Sequence, residues 1–325
     1  MSEVVIDLSA VVRNAEKIKK QAPLIAVVKD DAYGHGSVAV AKCLENVADG
    51  FAVTTVAEAE ELTGAGITRD ILVLGPSHCC ASAKNVIYTV SSAEETDRLC
   101  RFMRPKVAVK INTGMNRFGT EPAAAEKLVD YVRERAVLHS VYSHLREPEN
   151  TELAAVQLAR FHDATDSLEV KRHLSASRGF LLGEKYKFDA VRCGIALYGG
   201  ISGFEQAMSV YAPVLAVRDV PAGEGVGYGS VTFDRPTRIA VLGIGYADGY
   251  RRLTAPRYVA VAGVKCRVVS VCMDVSFAVL PYGTDASDTA EILGKNVPAH
   301  ELATSYGTIT YEVFTSFGRI SRRYG

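Results

Sequence analysis

Through the first two hundred positions, short apolar runs alternate with amphipathic stretches. The runs lie at 24–28, 51–54, 71–74, 86–90, 107–111, 137–142, 173–175 and 190–192. Between them, segments such as 37–45, 57–63, 93–101 and 123–135 carry helical patterns. Short continuous apolar runs read as strands buried on both faces, and eight of them alternating with helices fit a (β/α)8 TIM barrel. An open doubly wound sheet would want a Gly-x-Gly-x-x-Gly turn after an early strand, and none stands there. After about residue 211 the pattern changes. Runs at 214–219, 226–233, 238–243, 258–261, 266–271 and 277–280 are punctuated by glycine and proline, with few helix signals. The chain is therefore expected to divide into an α/β barrel over 1–210 and a mostly β domain over 211–325.

A barrel carries its chemistry on the loops behind the C-terminal ends of its strands. Lys29 follows the first run, Arg117 the fifth, His144 the sixth and Ser177 the seventh, while Arg192 and Gly194 close the eighth. One rim thus collects a lysine, two arginines, a histidine and a serine. A lysine ending a buried strand either snorkels to solvent or puts its amine to use, for example as an imine to an aldehyde cofactor. Arg117 has the planar fork that suits a carboxylate, although a surface loop arginine reads the same way. A strand-end histidine such as His144 needs a partner to be more than structural.

Composition narrows the field. The 325 residues are 48% hydrophobic, with 37 basic and 37 acidic side chains, which argues against an electrostatic nucleic-acid binder. No apolar run reaches the ~18 residues of a membrane span. Met1-Ser2-Glu3 leads directly into Val4-Val5-Ile6 without a signal-peptide pattern, so a cytoplasmic protein is expected. The seven cysteines are odd in number and lack Cys-x-x-Cys spacing, which reads as reduced thiols. His78 beside Cys79-Cys80 reads as a loop, because a metal site needs a second ligand pair. No metal is expected.

The motifs add a resemblance. Ala26-Val-Val-Lys29-Asp30-Asp31-Ala-Tyr33-Gly34-His-Gly36 resembles the cofactor-lysine motif of alanine racemases, with Asp30 the departure. Lys110-Ile-Asn112-Thr-Gly-Met-Asn-Arg117-Phe-Gly119 resembles a second family motif, departing at Asn112, and Tyr142-Ser-His144 a third. Val191-Arg192-Cys193-Gly194-Ile195-Ala-Leu-Tyr198-Gly199 has Cys193 where the family has proline, and His173-Leu-Ser-Ala176-Ser177 has Ala176 where asparagine is usual. In the β part, Gly227-Tyr228-Gly229, Ile244-Gly-Tyr246-Ala-Asp-Gly249 and Cys272-Met273-Asp274 follow in the family's order.

The resemblance implies a fold-type III racemase that inverts alanine with two bases, Lys29 and Tyr228, and supplies D-alanine for peptidoglycan. It implies pyridoxal 5'-phosphate carried on Lys29, with Tyr33, His144, Ser177, Arg192, Gly194 and Ile195 around it. Arg117, Met273, Asp274 and Tyr246 would meet the substrate, and Lys110 would be carboxylated to hold Arg117. It also implies a homodimer in which Tyr228, Met273 and Asp274 come from the partner. Near the C-terminus a family tyrosine is replaced by Gly318 or Arg319, so a serine or broad-specificity racemase is the alternative. A barrel decarboxylase stands further off because it would not share the Tyr228 and Met273-Asp274 signatures, and a non-catalytic cofactor-binding protein because it usually lacks a β domain such as 211–325.

Overall fold

The computed structural model describes residues 1–77, 79–228, 231–252, 254–284 and 287–325. After β1 (Glu3–Ile6) come the strands β2 (Leu24–Val27), β3 (Gly50–Val53), β4 (Ile71–Val73), β5 (Val86–Val90), β6 (Lys106–Lys110), β7 (Val137–Tyr142), β8 (Lys171–His173) and β9 (Val191–Cys193). Each of β2 to β7 pairs in parallel with the next, and β9 pairs in parallel with β2. Beyond β8 the ring closes on β9 through an Ala176–Arg192 bridge, with the Arg192 N–H donating to the Ser175 carbonyl at 2.9 Å. This is the expected barrel: seven of the eight apolar runs coincide with its strands to within a residue, while the run at 173–175 shares only His173 with β8. Their residues are buried almost without alternation, as a parallel sheet covered on both faces requires.

Helices Ser37–Leu44, Val56–Gly64, Ala93–Cys100 and Ala125–Arg135 fall where the periodicity places them. Val56–Gly64 opens with a capping box: Thr55 accepts from the Glu58 N–H, and the Glu58 carboxylate accepts from the Thr55 N–H. Two further helices, Leu8–Lys19 and Thr151–Thr165, were not expected.

One compact unit comprises Val12–Ala32 and Gly36–Leu197 and holds the barrel. The other comprises Met1–Val11, Tyr33–His35 and Tyr198–Gly325. Its sheet adds β10 (Met208–Val220), β11 (Thr237–Leu242), β12 (Arg257–Val261), β13 (Val264–Val271), β14 (Ser276–Val279), β15 (Thr289–Leu293) and β16 (Arg322–Tyr324). The expected division at 210 differs at the N-terminus. β1 runs antiparallel to β10, with Glu3 opposite Tyr211 and Ile6 opposite Met208, and parallel to β16, so the first residues group with the β unit. The run 226–233 forms no strand among its described residues. A single bridge joins Gly225 to Thr232, and Gly227 turns between them at φ 68°. Two short helices, Ala299–Tyr306 and Thr310–Ser316, also escaped the pattern, although Pro298 before the first and left-handed Gly307 after it are ordinary start and stop signals.

Among the described residues no helix is long and apolar enough to cross a membrane. The seven cysteines are free thiols. The His78 reading lies outside the described residues.

Candidate active site

The C-terminal rim of the barrel gathers positive charge. Lys110 ends β6, Arg192 sits in β9 beside Ile25 of β2, and Lys29 follows β2 by two residues. Lys110 and Arg192 are buried, and both guanidinium and ammonium lie over the Tyr142 ring, 5.0 and 5.5 Å from its centroid. The face of an aromatic ring is a partial substitute for lost water around a cation. Tyr142 is itself fixed by a 2.7 Å hydrogen bond to Thr89 and stacks on His173 at 5.0 Å.

Arg192 has little freedom. Its NH1 group donates to the Nδ1 and carbonyl oxygen of His173, and its NH2 group to the carbonyls of Ser143 and Leu174. Four of the five guanidinium N–H groups are thereby used on neutral acceptors, and among the described residues the Nε–H has none. Burial brings its pKa down to about 10, so it remains a cation at neutral pH.

The neighbours respond to this field. Burial, then Arg117, Arg192 and Lys29, bring Lys110 down to about 8. Desolvation followed by Arg192, Arg117, Lys110 and Lys29 pushes His144 down to about 3, so its imidazole is neutral throughout the physiological range. Of the four cations only Lys29 has a carboxylate within ion-pair distance among the described residues, Asp30 at 3.5 Å. The rim is built for an anionic occupant.

Lys29 opens an unusual turn. Asp30, Asp31, Ala32 and Tyr33 all have φ between 51° and 56°, and Gly34 follows at 83°, so Lys29–Gly34 is a left-handed helical turn. Such a turn costs an L-residue roughly 1–2 kcal/mol each, and strain of this kind concentrates at functional sites. Glu58 helps to hold it by accepting from the Asp30 N–H at 2.6 Å, while Asp31 caps the next helix through the Ser37 N–H.

Arg117 is exposed on a loop whose base is organised by Asn112. The Asn112 side-chain Oδ1 accepts from the Gly114 and Asn116 N–H groups, and its side-chain Nδ2 donates to the Asn116 and Glu121 side chains. Behind the loop, buried Gln157 donates to Thr113 and to the His144 carbonyl, tying the two segments together. Ser177 is buried, and its hydroxyl oxygen accepts from the N–H groups of Gly194 and Ala196 at 3.1 and 3.2 Å. Between them, buried Ile195 has an N–H with no protein acceptor among the described residues.

The barrel unit thus brings together Lys29, Arg117, His144, Ser177, Arg192, Gly194 and Ile195. The remaining expected residues belong to the other unit. Tyr33 packs between Tyr198 and Tyr311, with ring centroids 5.2 and 5.9 Å away. Tyr246 and Met273 share one turn: the Tyr246 N–H donates to the Cys272 carbonyl and the Ala247 N–H to that of Met273. Tyr228, Tyr246, Met273 and Asp274 are exposed, Tyr228 to 76%. Gly229, the last residue of the Tyr228 motif, lies outside the described residues. Sequence reading missed Tyr142 and His173 as partners of Arg192, since only the closed barrel reveals that β7, β8 and the residues just after them feed the same guanidinium.

Residues 6–202 match the family profile "Alanine racemase, N-terminal domain" and residues 207–324 match "Alanine racemase, C-terminal domain". The alanine racemase of Aliivibrio salmonicida is 34% identical over 98% of this chain and 98% of its own length. The chain belongs to the alanine racemase family. The crystal structure of the biosynthetic alanine racemase from Pseudomonas aeruginosa superposes with a TM-score of 0.89 at 30% identity, covering 100% of this chain and 99% of that one. That of the Bartonella henselae alanine racemase, with covalently bound pyridoxal phosphate, also gives 0.89, at 29% identity and the same coverage. Against this alanine racemase background the departures acquire physical content. Asn112 donates to Glu121, which an aspartate would repel. Cys193 is buried in β9, paired with Ala26, where burial pushes its thiol up to about 12 and leaves it inert.

Proposed function

We propose that the chain interconverts L- and D-alanine with pyridoxal 5'-phosphate held on Lys29, as a cytoplasmic homodimer with shared sites that supplies D-alanine for peptidoglycan. The observation that carries this reading is the rim of four cations with a single carboxylate among them, arranged around a strand-end lysine. The residues fit the cofactor. Arg192 has one N–H left over, suited to an acceptor such as a pyridine nitrogen. The Ile195 N–H, without a protein acceptor among the described residues, and the Ser177 hydroxyl proton suit a phosphate beside Gly194, as buried donors need acceptors. Tyr33 would join them there.

Bound pyridoxal phosphate acts as an electron sink that acidifies the substrate's α-proton. An arginine at the ring nitrogen stays protonated and so limits that sink, which disfavours transamination. The chain's own groups do the rest. Arg117, with Met273 and Asp274, would hold the substrate carboxylate, and Tyr246 would guard the approach. Inversion needs a base on each face, Lys29 on one and the partner's Tyr228 on the other. Arg117 and neutral His144 would be the partners of that phenol as it takes the proton.

A second reading, serine or broader racemisation, is favoured by Ala176 and Gly318. A Cβ at Gly318 would meet only the Thr315 carbonyl, at 3.4 Å, so the turn has room. Borohydride reduction should fix the cofactor on Lys29, and a Lys29→Ala protein that keeps a reducible covalent label would sink the assignment. With L-alanine and L-serine assayed side by side, alanine should have the higher kcat/KM and serine measurable turnover. The reverse order would select the second reading.

A further inference from the structure

A hydrogen-bonded path runs from Arg192 through His173 and Ser140 to His139, near the opposite mouth of the barrel. A guanidinium only donates, so the 2.7 Å contact between Arg192 NH1 and His173 Nδ1 requires a lone pair on Nδ1. Burial, then Arg192 and His139, hold His173 well below its ordinary pKa, so the ring is neutral and its single proton sits on Nε2. That Nε2–H faces Ser140 Oγ at 3.1 Å. His139 Nδ1 lies 3.1 Å from the same oxygen, so a Ser140 hydroxyl that accepts from His173 has its one proton free to give to His139. Asp70 lies beyond, its carboxylate 3.8 Å from His139 Nε2, outside hydrogen-bond distance. Asp70 in turn accepts from Lys106 at 2.7 Å. The directions from Arg192 to His173 and from His173 to Ser140 follow one from the other.

The far end of this path opens on a cavity of about 400 Å3 at the N-terminal mouth, where His139, Ser140, His173 and Asp70 meet the apolar walls of Ile25 and Phe51. The charges facing His139 there are Asp70, Lys106 and Lys171.

We propose that Ser140 and His139 are positioning residues for Arg192. Ser140 takes the Nε2 proton of His173 and so orients the ring that receives Arg192, and His139 orients the Ser140 hydroxyl. A hydrogen bond donated from one ring nitrogen raises the acceptor strength of the other, the same logic by which outer partners tune a metal-bound histidine. The link to catalysis rests on the proposed role of Arg192 at the cofactor ring; the link to His173 does not.

The test uses full-length protein with 15N-labelled histidine. In the unaltered chain His173 should show a pyridine-type Nδ1 and a pyrrole-type Nε2, unchanged from about pH 5 to 9. Ser140→Ala should move the Nε2 resonance and loosen the ring, and His139→Leu should do so more weakly. Ser140→Thr and His139→Asn, which keep a hydroxyl and an acceptor in place, should restore it. Affinity for added pyridoxal phosphate should fall by roughly three- to tenfold in Ser140→Ala, the size of one lost hydrogen bond, and recover in Ser140→Thr. A proton on Nδ1 of His173 in the unaltered chain, or a ring spectrum indifferent to Ser140→Ala, would overturn the proposal. A ring that responds without any change in cofactor affinity supports the path and counts against the role given to Arg192.

Discussion

Lys110 and Arg192 share the Tyr142 ring, and their chemistry decides which of them gives way. An arginine holds its proton even when buried, whereas a lysine amine shifts readily. Lys110 accordingly falls from 10.5 to about 8. Its folded pKa lies below the unfolded one, so the unfolded chain binds the proton more tightly. The ammonium therefore destabilises the fold fully below about pH 8, and the cost is relieved as pH rises from 8 to 10.5. Replacing it by the similarly shaped Lys110→Met should raise stability at pH 7 in bicarbonate-free buffer by ~1–3 kcal/mol, with the gain shrinking toward pH 10.5. Urea unfolding at the two pH values reads this directly, and an unchanged or lowered stability at pH 7 would contradict the burial argument. A neutral amine near pH 8 is also the form that adds carbon dioxide. Carbamate formation would replace the cation with an anion facing Arg117, as the resemblance to alanine racemases implies. With 13C-bicarbonate, a carbamate resonance should appear in the unaltered chain and be missing in Lys110→Met.

The left-handed turn Lys29–Gly34 shows what an element can hide from its sequence. Apolar runs revealed the eight barrel strands because burial on both faces leaves continuous stretches of Val, Ile and Leu. The chemistry at the strand ends was legible for the same reason, as a polar residue ending such a run stands out. Asp30, Asp31, Ala32 and Tyr33 prefer right-handed backbone, and only Gly34 and Gly36 hint otherwise. The turn is imposed by what surrounds it, including Glu58, which comes from a helix 28 residues away. The Arg192 network was hidden for a related reason: its acceptors are mostly main-chain carbonyls, which no side chain advertises. Two substitutions should separate strain from fit. Gly34→Ala places a Cβ 2.8 Å from the Phe314 carbonyl oxygen at φ 83°, and should cost about 2 kcal/mol or more. Asp30→Gly relieves φ 51° and keeps the N–H that Glu58 holds, losing only an exposed ion pair. It should be neutral or stabilising by up to ~1 kcal/mol. Equal destabilisation by both, in urea unfolding, would mean that the left-handed backbone is not the source of strain.

At the scale of the whole molecule, the proposed chemistry is divided between residues of two compact units. The barrel rim supplies Lys29, Arg117, His144 and Arg192, while the β unit exposes Tyr228 to 76% and Met273 to 53%. Single exposed aromatics are common on proteins, but here the exposed tyrosine is the expected second base. A homodimer that exchanges these residues makes a sharp prediction. Lys29→Ala and Tyr228→Phe chains should each be inactive toward L-alanine as pure dimers. In a mixed dimer, one site combines both defects and the other combines an intact Lys29 with an intact Tyr228. Random reassembly of equal amounts should therefore restore about a quarter of the unaltered activity, because half the dimers are mixed and each has one sound site. The mixture is made by co-expression with two affinity tags, and racemisation is measured on the doubly tagged fraction, where recovery should approach half per dimer. If Tyr228 served the site of its own chain, the mixed dimer would hold two differently broken sites, and no activity would return.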